Sequence, residues 1–340
     1  MKISQSESLS KHTSFRTGGR ARFFVEIESG DELADVVSQA RLEGLPYLIL
    51  GEGSNVLIND ADFDGYVIRP LVRGIEFTDD NDSNGILVVA GAGEHWDDLV
   101  AETVAKNLSG LENLSWIPGS VGAAPVQNIG AYGSELKDVL EWVEVFDPKE
   151  SGLKILNREV CRFDYRDSLF KSSDGRGLII TRLAVRLKEN GNQNILYKDL
   201  ARYFDGKSQT PSVAEVRAAV IKIRQDKLPD IKKYGTAGSF FKNPIISETK
   251  YAELIKKYPS MPSFSAGDGF RKIPLAWILD KVCGLNGFRE GNVGLYETQP
   301  LALVNFGEAT TTEIKNFAEK ISGIVKEKTD LNIEWEVNLI

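Results

Sequence analysis

Tyr47-Leu48-Ile49-Leu50 is a short apolar run that passes directly into Gly51-Glu52-Gly53-Ser54-Asn55. An apolar run of this length bounded by glycine reads as a short buried strand. The residues after it include two glycines and two small polar side chains, and can turn several backbone N–H groups towards one anion. Read alone, the segment is an ordinary strand-end turn. It is not the dinucleotide fingerprint G-x-G-x-x-G, because Val56 stands in the third glycine's place. No Gly-Lys-Ser/Thr follows, so it is not a P-loop either. A nicotinamide-binding Rossmann domain is therefore not supported.

Upstream, 21–27 (ARFFVEI) reads as a strand, and Ser29 with Glu32 forms a capping box. Leu33, Val36, Val37 and Ala40 follow helical spacing, and Gly44 ends that helix. Together with 47–50 this makes a β-α-β unit. Downstream, strands are expected at 66–69 and 86–90, then a helix over about 95–107 with Trp96, Leu99, Val100 and Val104 on one face. Residues 110–135 are glycine-rich and only weakly periodic. Strand character returns at 139–146 and 178–187, where Ile179, Thr181, Leu183, Val185 and Leu187 alternate. Residues 205–211 (DGKSQTP) look like a connector, and the chain divides there, near 206–211. Ser212 and Glu215 cap a helix carrying Val216, Val220 and Ile223, which Lys227-Leu228-Pro229-Asp230 stops. A helix near 274–283 opens at Pro274 and closes at Gly284. A strand at 301–305, a long helix from Thr310 with Glu313 in the capping-box position, and a final strand at 331–340 complete a smaller α+β part.

Composition sets the outer limits. The 340 residues are 42% hydrophobic and 26% charged, with a net charge of −8, which suits packed cores and excludes wholesale disorder. No stretch approaches the roughly 20 apolar residues of a membrane span, and the start MKISQSESLSKH lacks the apolar core of a secretory signal. Cys161 and Cys283 cannot form a disulfide framework and fit a reducing compartment. His12 and His95 leave few ligands for zinc, and no metal is expected. An acidic chain without a basic run is not a general nucleic-acid binder, although converging N–H groups can still hold an anion.

A second glycine-rich segment runs from Ile117-Pro118-Gly119-Ser120-Val121-Gly122-Ala123 to Asn128-Ile129-Gly130-Ala131-Tyr132-Gly133 without a single charge. Small, uncharged backbone suits contact with a large flat ligand carrying phosphates, and two separated glycine loops in one half make a purely structural loop less attractive. Further on, Tyr165-Arg166-Asp167-Ser168 sets an arginine among polar residues, and Gly238-Ser239-Phe240-Phe241-Lys242-Asn243-Pro244 flanks a serine with aromatics. Glu334-Trp335-Glu336 lies in the last expected strand, where alternation sends both glutamates to one face. Alone, these read as a surface ion pair, a turn and a solvated strand face. Ser239 is no obvious hydrolase nucleophile, since no G-x-S-x-G surrounds it.

In this order the motifs resemble the bacterial UDP-N-acetylenolpyruvoylglucosamine reductase family over nearly the whole chain. The resemblance includes Ser14-Phe15-Arg16-Thr17-Gly18-Gly19, Ile49 to Leu57, Gly110-Leu111-Glu112-Asn113-Leu114 leading into the 117–133 loop, Phe163 to Ser168, and Gly238 to Pro244. It implies an α+β chain: a two-subdomain FAD-binding region of the vanillyl-alcohol-oxidase (PCMH) type over 17–187, with subdomains about 1–70 and 71–205, and a C-terminal α+β substrate-binding domain over 206–340. FAD would meet Gly51, Gly53, Ser54 and Asn55 with its diphosphate and Ile117, Pro118, Gly119, Ala123 and Ile129 near its ring. Neither histidine lies in these loops in the sequence, so non-covalent FAD is expected.

The implied reaction has two halves. NADPH reduces FAD and leaves; the enolpyruvyl substrate takes its place and receives hydride from flavin N5 at C3. By resemblance Ser239 then protonates C2, while Arg166 and Glu336 flank the carboxylate and stabilise the enolic intermediate. Tyr197, Lys227, Asn243 and Gln299 match positions that contact the nucleotide sugar, and Tyr197 in Leu196-Tyr197-Lys198 points to the tyrosine-loop subtype. Phe264 and Asn286 stand where some members have a tyrosine and a lysine near the diphosphate; Lys227 and Lys272 are the cations left to compensate. A cytoplasmic monomer, with a nucleotide-sugar substrate and no nucleic-acid or membrane partner, completes the expectation. Two other readings stand beside it. One is a flavin oxidase of the same fold, against which the set Ser239, Arg166 and Glu336 speaks. The other is a silent nucleotide-sugar-binding protein, which a yellow purified protein would exclude.

Overall fold

The computed structural model describes residues 1–79, 85–189, 191–206 and 209–340. They form two compact units, each assembled from separate stretches of chain. The first comprises Met1–Glu7, Ala21–Glu52 and Phe63–Arg224; the second comprises Ser8–Arg20, Gly53–Asp62 and Gln225–Ile340. Helix Val213–Lys227 runs out of the first unit into the second, and the connector residues Lys207 and Ser208 lie outside the described residues.

In the first unit, strands Lys2–Ser8, Arg20–Ile27, Phe63–Pro70 and Tyr47–Ile49 form a four-stranded sheet in that spatial order. Strand Phe63–Pro70 is parallel to both of its neighbours, so the β-α-β crossover spans one inserted strand. Helix Gly30–Leu42 makes that crossover. The Ser29 side chain accepts from the Glu32 N–H, while the Glu32 carboxylate turns back to the Glu28 N–H. Its buried face, Leu33, Val36, Val37 and Ala40, meets Val25, Ile27, Tyr66 and Ile68 of the sheet. A second, antiparallel sheet runs Gly152–Asn157, Leu140–Asp147, Ile179–Glu189, Ile86–Gly91, Ile75–Asp79, with Leu108–Ser109 also on Ile179–Glu189. Ile179–Glu189 is central, which explains why Ile180 and Ala184 are buried along with the alternating set expected from sequence. Helix Trp96–Ala105 covers this sheet with Trp96, Leu99, Val100 and Thr103 buried.

In the second unit, Gly235–Ser239, Gln299–Asn305, Val293–Tyr296 and Arg289–Glu290 form an antiparallel sheet. Helix Thr311–Thr329 packs Ile314, Phe317, Ala318, Ile321 and Val325 into a core shared with Phe15, Phe240, Phe241 and Leu303. The Thr310–Glu313 capping box is present in full. Two expectations need correction. The helix near 274–283 is a short α-turn, Leu275–Trp277, that widens into a π-turn, Ile278–Val282. The final strand over 331–340 is reduced to an isolated bridge at Trp335 and the pair Asn338–Leu339, which runs parallel to Val56–Leu57. Among the described residues no helix is long and apolar enough to cross a membrane.

Candidate active site

The first unit brings the two glycine loops together. A Cβ on Gly51 would sit 2.6 Å from Ser120 Oγ and 3.3 Å from Ala123 Cβ, so a side chain there would have to turn the Ser120 hydroxyl aside. The 119–122 stretch is stitched to 92–96: Gly122 N–H donates to Ala92 O, Val121 N–H to Glu94 O, and Trp96 N–H to Gly119 O, all at 2.8–2.9 Å. Among the described residues, the N–H groups of Gly51, Glu52 and Ser120 donate to no protein acceptor. N–H groups left without a protein acceptor suit the diphosphate of a dinucleotide. The half-buried Ile117 and the buried Ile129 add apolar surface beside them. Sequence distance kept His95 out of this picture, but the structure places it opposite Ser120 with its Nδ1 against the Glu52 carboxylate.

Arg166 is held with a left-handed backbone, φ +54, in a turn closed by mutual hydrogen bonds between Asp164 and Asp167. Its Nη2 donates to Gly130 O at 2.6 Å and its Nη1 reaches Asn128 O at 3.5 Å. The guanidinium is thus fixed against the turn that carries Ile129. Asn128 makes this possible and went unremarked in the sequence. It is fully buried, donates to Glu135 Oε2 and Asp164 O, and accepts from Lys137 N–H. Its position before Ile129-Gly130 was the available signal. Tyr197 begins the short helix Lys198–Tyr203 and sets its ring edge-on to Tyr132, with centroids 5.4 Å apart, while remaining 44% exposed. Burial, with Asp199 and Tyr197 adding and Arg224 opposing, pushes the Tyr132 phenol up to about 12.

The second unit gathers another set. Ser239 ends strand Gly235–Ser239 after a register shift against Gln299–Asn305, with Gly238 at φ +72. Such bulges redirect a side chain out of the regular alternation. The next residue, Phe240, donates to Leu301 O and accepts from Glu336 N–H, both at 2.8 Å, so Ser239 and Glu336 lie on adjoining segments. Beneath them Phe240 meets Phe15, Phe241 and Trp335 with ring centroids 5.0–6.0 Å apart. The two glutamates differ: Glu334 is exposed and paired with Lys242 at 3.2 Å, whereas Glu336 is half-buried. Asn55 Nδ2 donates to Glu336 O at 3.3 Å. A Cβ on Gly53 would lie 2.1 Å from His12 O, so residues 12–14 press directly on that glycine. Ser54 beside it is half-buried. Asn243 Oδ1 accepts the Leu275 N–H at 2.8 Å. Lys227 O accepts the hydroxyl of Thr298, the neighbour of Gln299, and Gln299 Oε1 is buried without a partner among the described residues. A buried acceptor left unpaired fits a polar ligand group.

Residues 21–155 match a family model described as FAD binding domain, and residues 230–340 match one described as UDP-N-acetylenolpyruvoylglucosamine reductase, C-terminal domain. The chain is 39% identical over 341 residues to the UDP-N-acetylenolpyruvoylglucosamine reductase of Porphyromonas gingivalis strain W83, covering 100% of both chains. It is 38% identical over 333 residues to that of Pseudomonas aeruginosa PAO1, covering 98% of this chain and 97% of the other. The crystal structure of UDP-N-acetylenolpyruvylglucosamine reductase from Thermus caldophilus superposes with a TM-score of 0.67 at 26% identity, over 99% of this chain and 98% of that one. The chain belongs to the UDP-N-acetylenolpyruvoylglucosamine reductase family.

Proposed function

We infer that the chain is an FAD-dependent UDP-N-acetylmuramate dehydrogenase. It reduces the enolpyruvyl group of UDP-N-acetylglucosamine-enolpyruvate to the lactyl ether for peptidoglycan synthesis. The observation that carries this is 39% identity along the full length to a UDP-N-acetylenolpyruvoylglucosamine reductase, with both family models matched in order. Bound FAD supplies the two-electron carrier between NADPH and the substrate double bond.

The protein's own groups do the rest. Gly51, Gly53, Ser54 and Asn55 hold the cofactor diphosphate, and Ile117, Pro118, Gly119, Ala123 and Ile129 form the surface for its ring; the free N–H groups and the close approach of Gly51 to Ser120 and Ala123 support this. Addition at C3 of the substrate drives negative charge onto C2 and the carboxylate. The Arg166 fork binds that carboxylate and gains strength as the charge grows. Its fixed seat on the 128–130 turn supports the role, because an oriented guanidinium needs no rearrangement during the reaction. Ser239 Oγ holds the proton for C2, and Glu336 flanks the same carboxylate. An alcohol is a weak acid, so it serves only in direct contact with a strongly basic carbon. The bulge at Ser239 and the aromatic floor under Phe240 support such fixed placement.

Tyr197, Lys227, Asn243 and Gln299 bind the nucleotide sugar, with Tyr197 as the closing residue of the tyrosine-loop subtype; its 44% exposure leaves surface for substrate to cover. Phe264 pairs across its sheet with Lys272, which supplies a cation where the tyrosine hydroxyl is missing. We take 17–187 as the FAD-binding domain, with subdomains about 1–70 and 71–205, and 206–340 as the substrate domain. The enzyme is a cytoplasmic monomer with non-covalent FAD.

Ser239→Ala tests the assignment. Reduction of the flavin by NADPH under anaerobic conditions creates no carbanion at C2 and should run near the wild-type rate. Reoxidation by the enolpyruvyl substrate should fall beyond the roughly 10²–10⁴-fold usual for general acid catalysis, because no donor remains beside C2. Stopped-flow absorbance of each half-reaction separates the two. Equal slowing of both halves would make Ser239 a flavin-site residue, and slowing of neither would remove it from the mechanism.

A further inference from the structure

Trp116 immediately precedes Ile117-Pro118-Gly119 and holds a left-handed backbone, φ +58. For a bulky side chain that conformation persists only where the surroundings fix it. Charged side chains grip Trp116 from both sides. Its N–H donates to Asp97 Oδ1 at 2.5 Å, and its C=O accepts from Arg224 Nε at 3.2 Å. Asp97 lies in the first turn of helix Trp96–Ala105 and takes a two-point hydrogen bond from Arg217, at 2.6 and 2.9 Å. Arg217 and Arg224 stand seven residues apart on helix Val213–Lys227, two turns along, and so share one face.

This is a costly way to join two helices. The Arg217 side chain is only 15% exposed and that of Asp97 30%. Burial raises the Asp97 carboxyl, but the Arg217 hydrogen bonds, the Trp116 N–H and the charges of Arg217 and Arg224 outweigh it and hold it below its ordinary range. Tyr132 and Arg166 also face the Arg224 guanidinium electrostatically. Apolar side chains of similar size would join the helices as well or better. What they cannot do is hold the two peptide groups that flank Trp116.

We propose that Asp97, Arg217 and Arg224 are positioning residues for the cofactor segment 117–119, acting through the backbone of Trp116. The proposal rests on the flavoenzyme reading above. FAD affinity of the full-length apoprotein, measured by flavin fluorescence together with the visible absorption band of the bound flavin, tests it. Arg224→Lys keeps the charge but loses the Nε donor; Asp97→Asn keeps an acceptor but loses the ion pair. Each should weaken FAD binding roughly tenfold, the worth of one hydrogen bond to a charged group, and alter the shape of the absorption band. Asp98→Asn, at an exposed neighbour in the same helical turn, should leave both unchanged. Trp116→Gly retains both peptide groups and adopts positive φ freely, so Arg224→Lys should cost less affinity in that background. Wild-type affinity and spectrum in Arg224→Lys and Asp97→Asn, even with lowered melting temperatures, would reduce the network to a structural brace and overturn the proposal. So would equal losses in the two backgrounds. An apoprotein of wild-type sequence that binds no FAD would overturn the flavoenzyme reading itself, and the reference titration shows this first.

Discussion

Gly130 has no room for a side chain: a Cβ there would lie 2.8 Å from Arg166 Nη1 and 2.9 Å from Glu135 Cγ. The glycine is thus the floor on which the guanidinium rests, with Asn128 fixing the turn beside it. Gly130→Ala should displace the Arg166 fork without touching Ser239. We expect kcat/KM for the enolpyruvyl substrate to fall roughly a hundredfold, the cost of about 1 Å of misplacement, while flavin reduction by NADPH stays near wild type. Steady-state rates with each half-reaction followed separately check this; an unchanged kcat/KM would mean that Arg166 tolerates another seat. At this scale little was legible from local sequence. Ser239, Arg166 and Glu336 carry no signature of their own and emerged only from the order of motifs along the chain. Asn128 stood inside a segment already singled out, but its role depends on Glu135, Asp164 and Lys137 meeting in space. Cys161 shows the opposite case: its isolation in the sequence matches a thiol that burial, with Glu159 adding, pushes up to about 12.

Helices were more legible than strands because their signals are local. Ser29, Ser212 and Thr310, each followed three residues later by Glu, all cap helices as expected. The Thr310 box is complete, as is that of Ser212: the Glu313 N–H donates to the Thr310 hydroxyl, and the Thr310 N–H donates to the Glu313 carboxylate at the start of Thr311–Thr329. Thr310→Ala should cost about 1 kcal/mol of stability at neutral pH, measured by denaturant unfolding. Hydrogen bonds from the Thr310 N–H and hydroxyl hold the Glu313 carboxyl below its ordinary value. A carboxyl lowered in the folded state contributes stability above its unfolded value near 4.5, and that contribution is lost as pH falls through the folded value. The gap between wild type and Thr310→Ala should therefore narrow as the pH drops below 4.5 and through the lowered folded value. A gap that widens there would show that the cap does not depend on the Glu313 charge. The last strand failed for the complementary reason. Residues 331–340 alternate well enough, but their partners are 240–242 and 56–57, and neither the bend after Trp335 nor the short pairing at Asn338–Leu339 is written locally.

At the scale of the whole molecule, one cut near 206–211 was the simplest reading of composition, whereas the compact units are interleaved: 8–20 and 53–62 belong with 225–340. Pairing of Asn338 with Val56 is a contact between residues so distant in sequence that no window along the chain contains both. The same long-range closure bears on how the cofactor is kept. Of the two histidines, His12 presses its carbonyl on Gly53, and His95 sets its Nδ1 against Glu52 while its side chain stays 54% exposed. Both therefore adjoin the glycine loop although neither lies within it. The Glu52 carboxylate pairs with His95 Nδ1 and leaves Nε2 as the one ring nitrogen through which His95 could bond the flavin. The N–H groups of Gly51, Glu52 and Ser120, which among the described residues donate to no protein acceptor, support the proposed non-covalent hold on the diphosphate. We expect purified protein to be yellow and acid precipitation to leave all flavin in the supernatant as FAD. His95→Ala should also be purified yellow. Flavin retained on the washed pellet of the wild type but absent from that of His95→Ala would identify His95 as a covalent attachment point and overturn the non-covalent assignment.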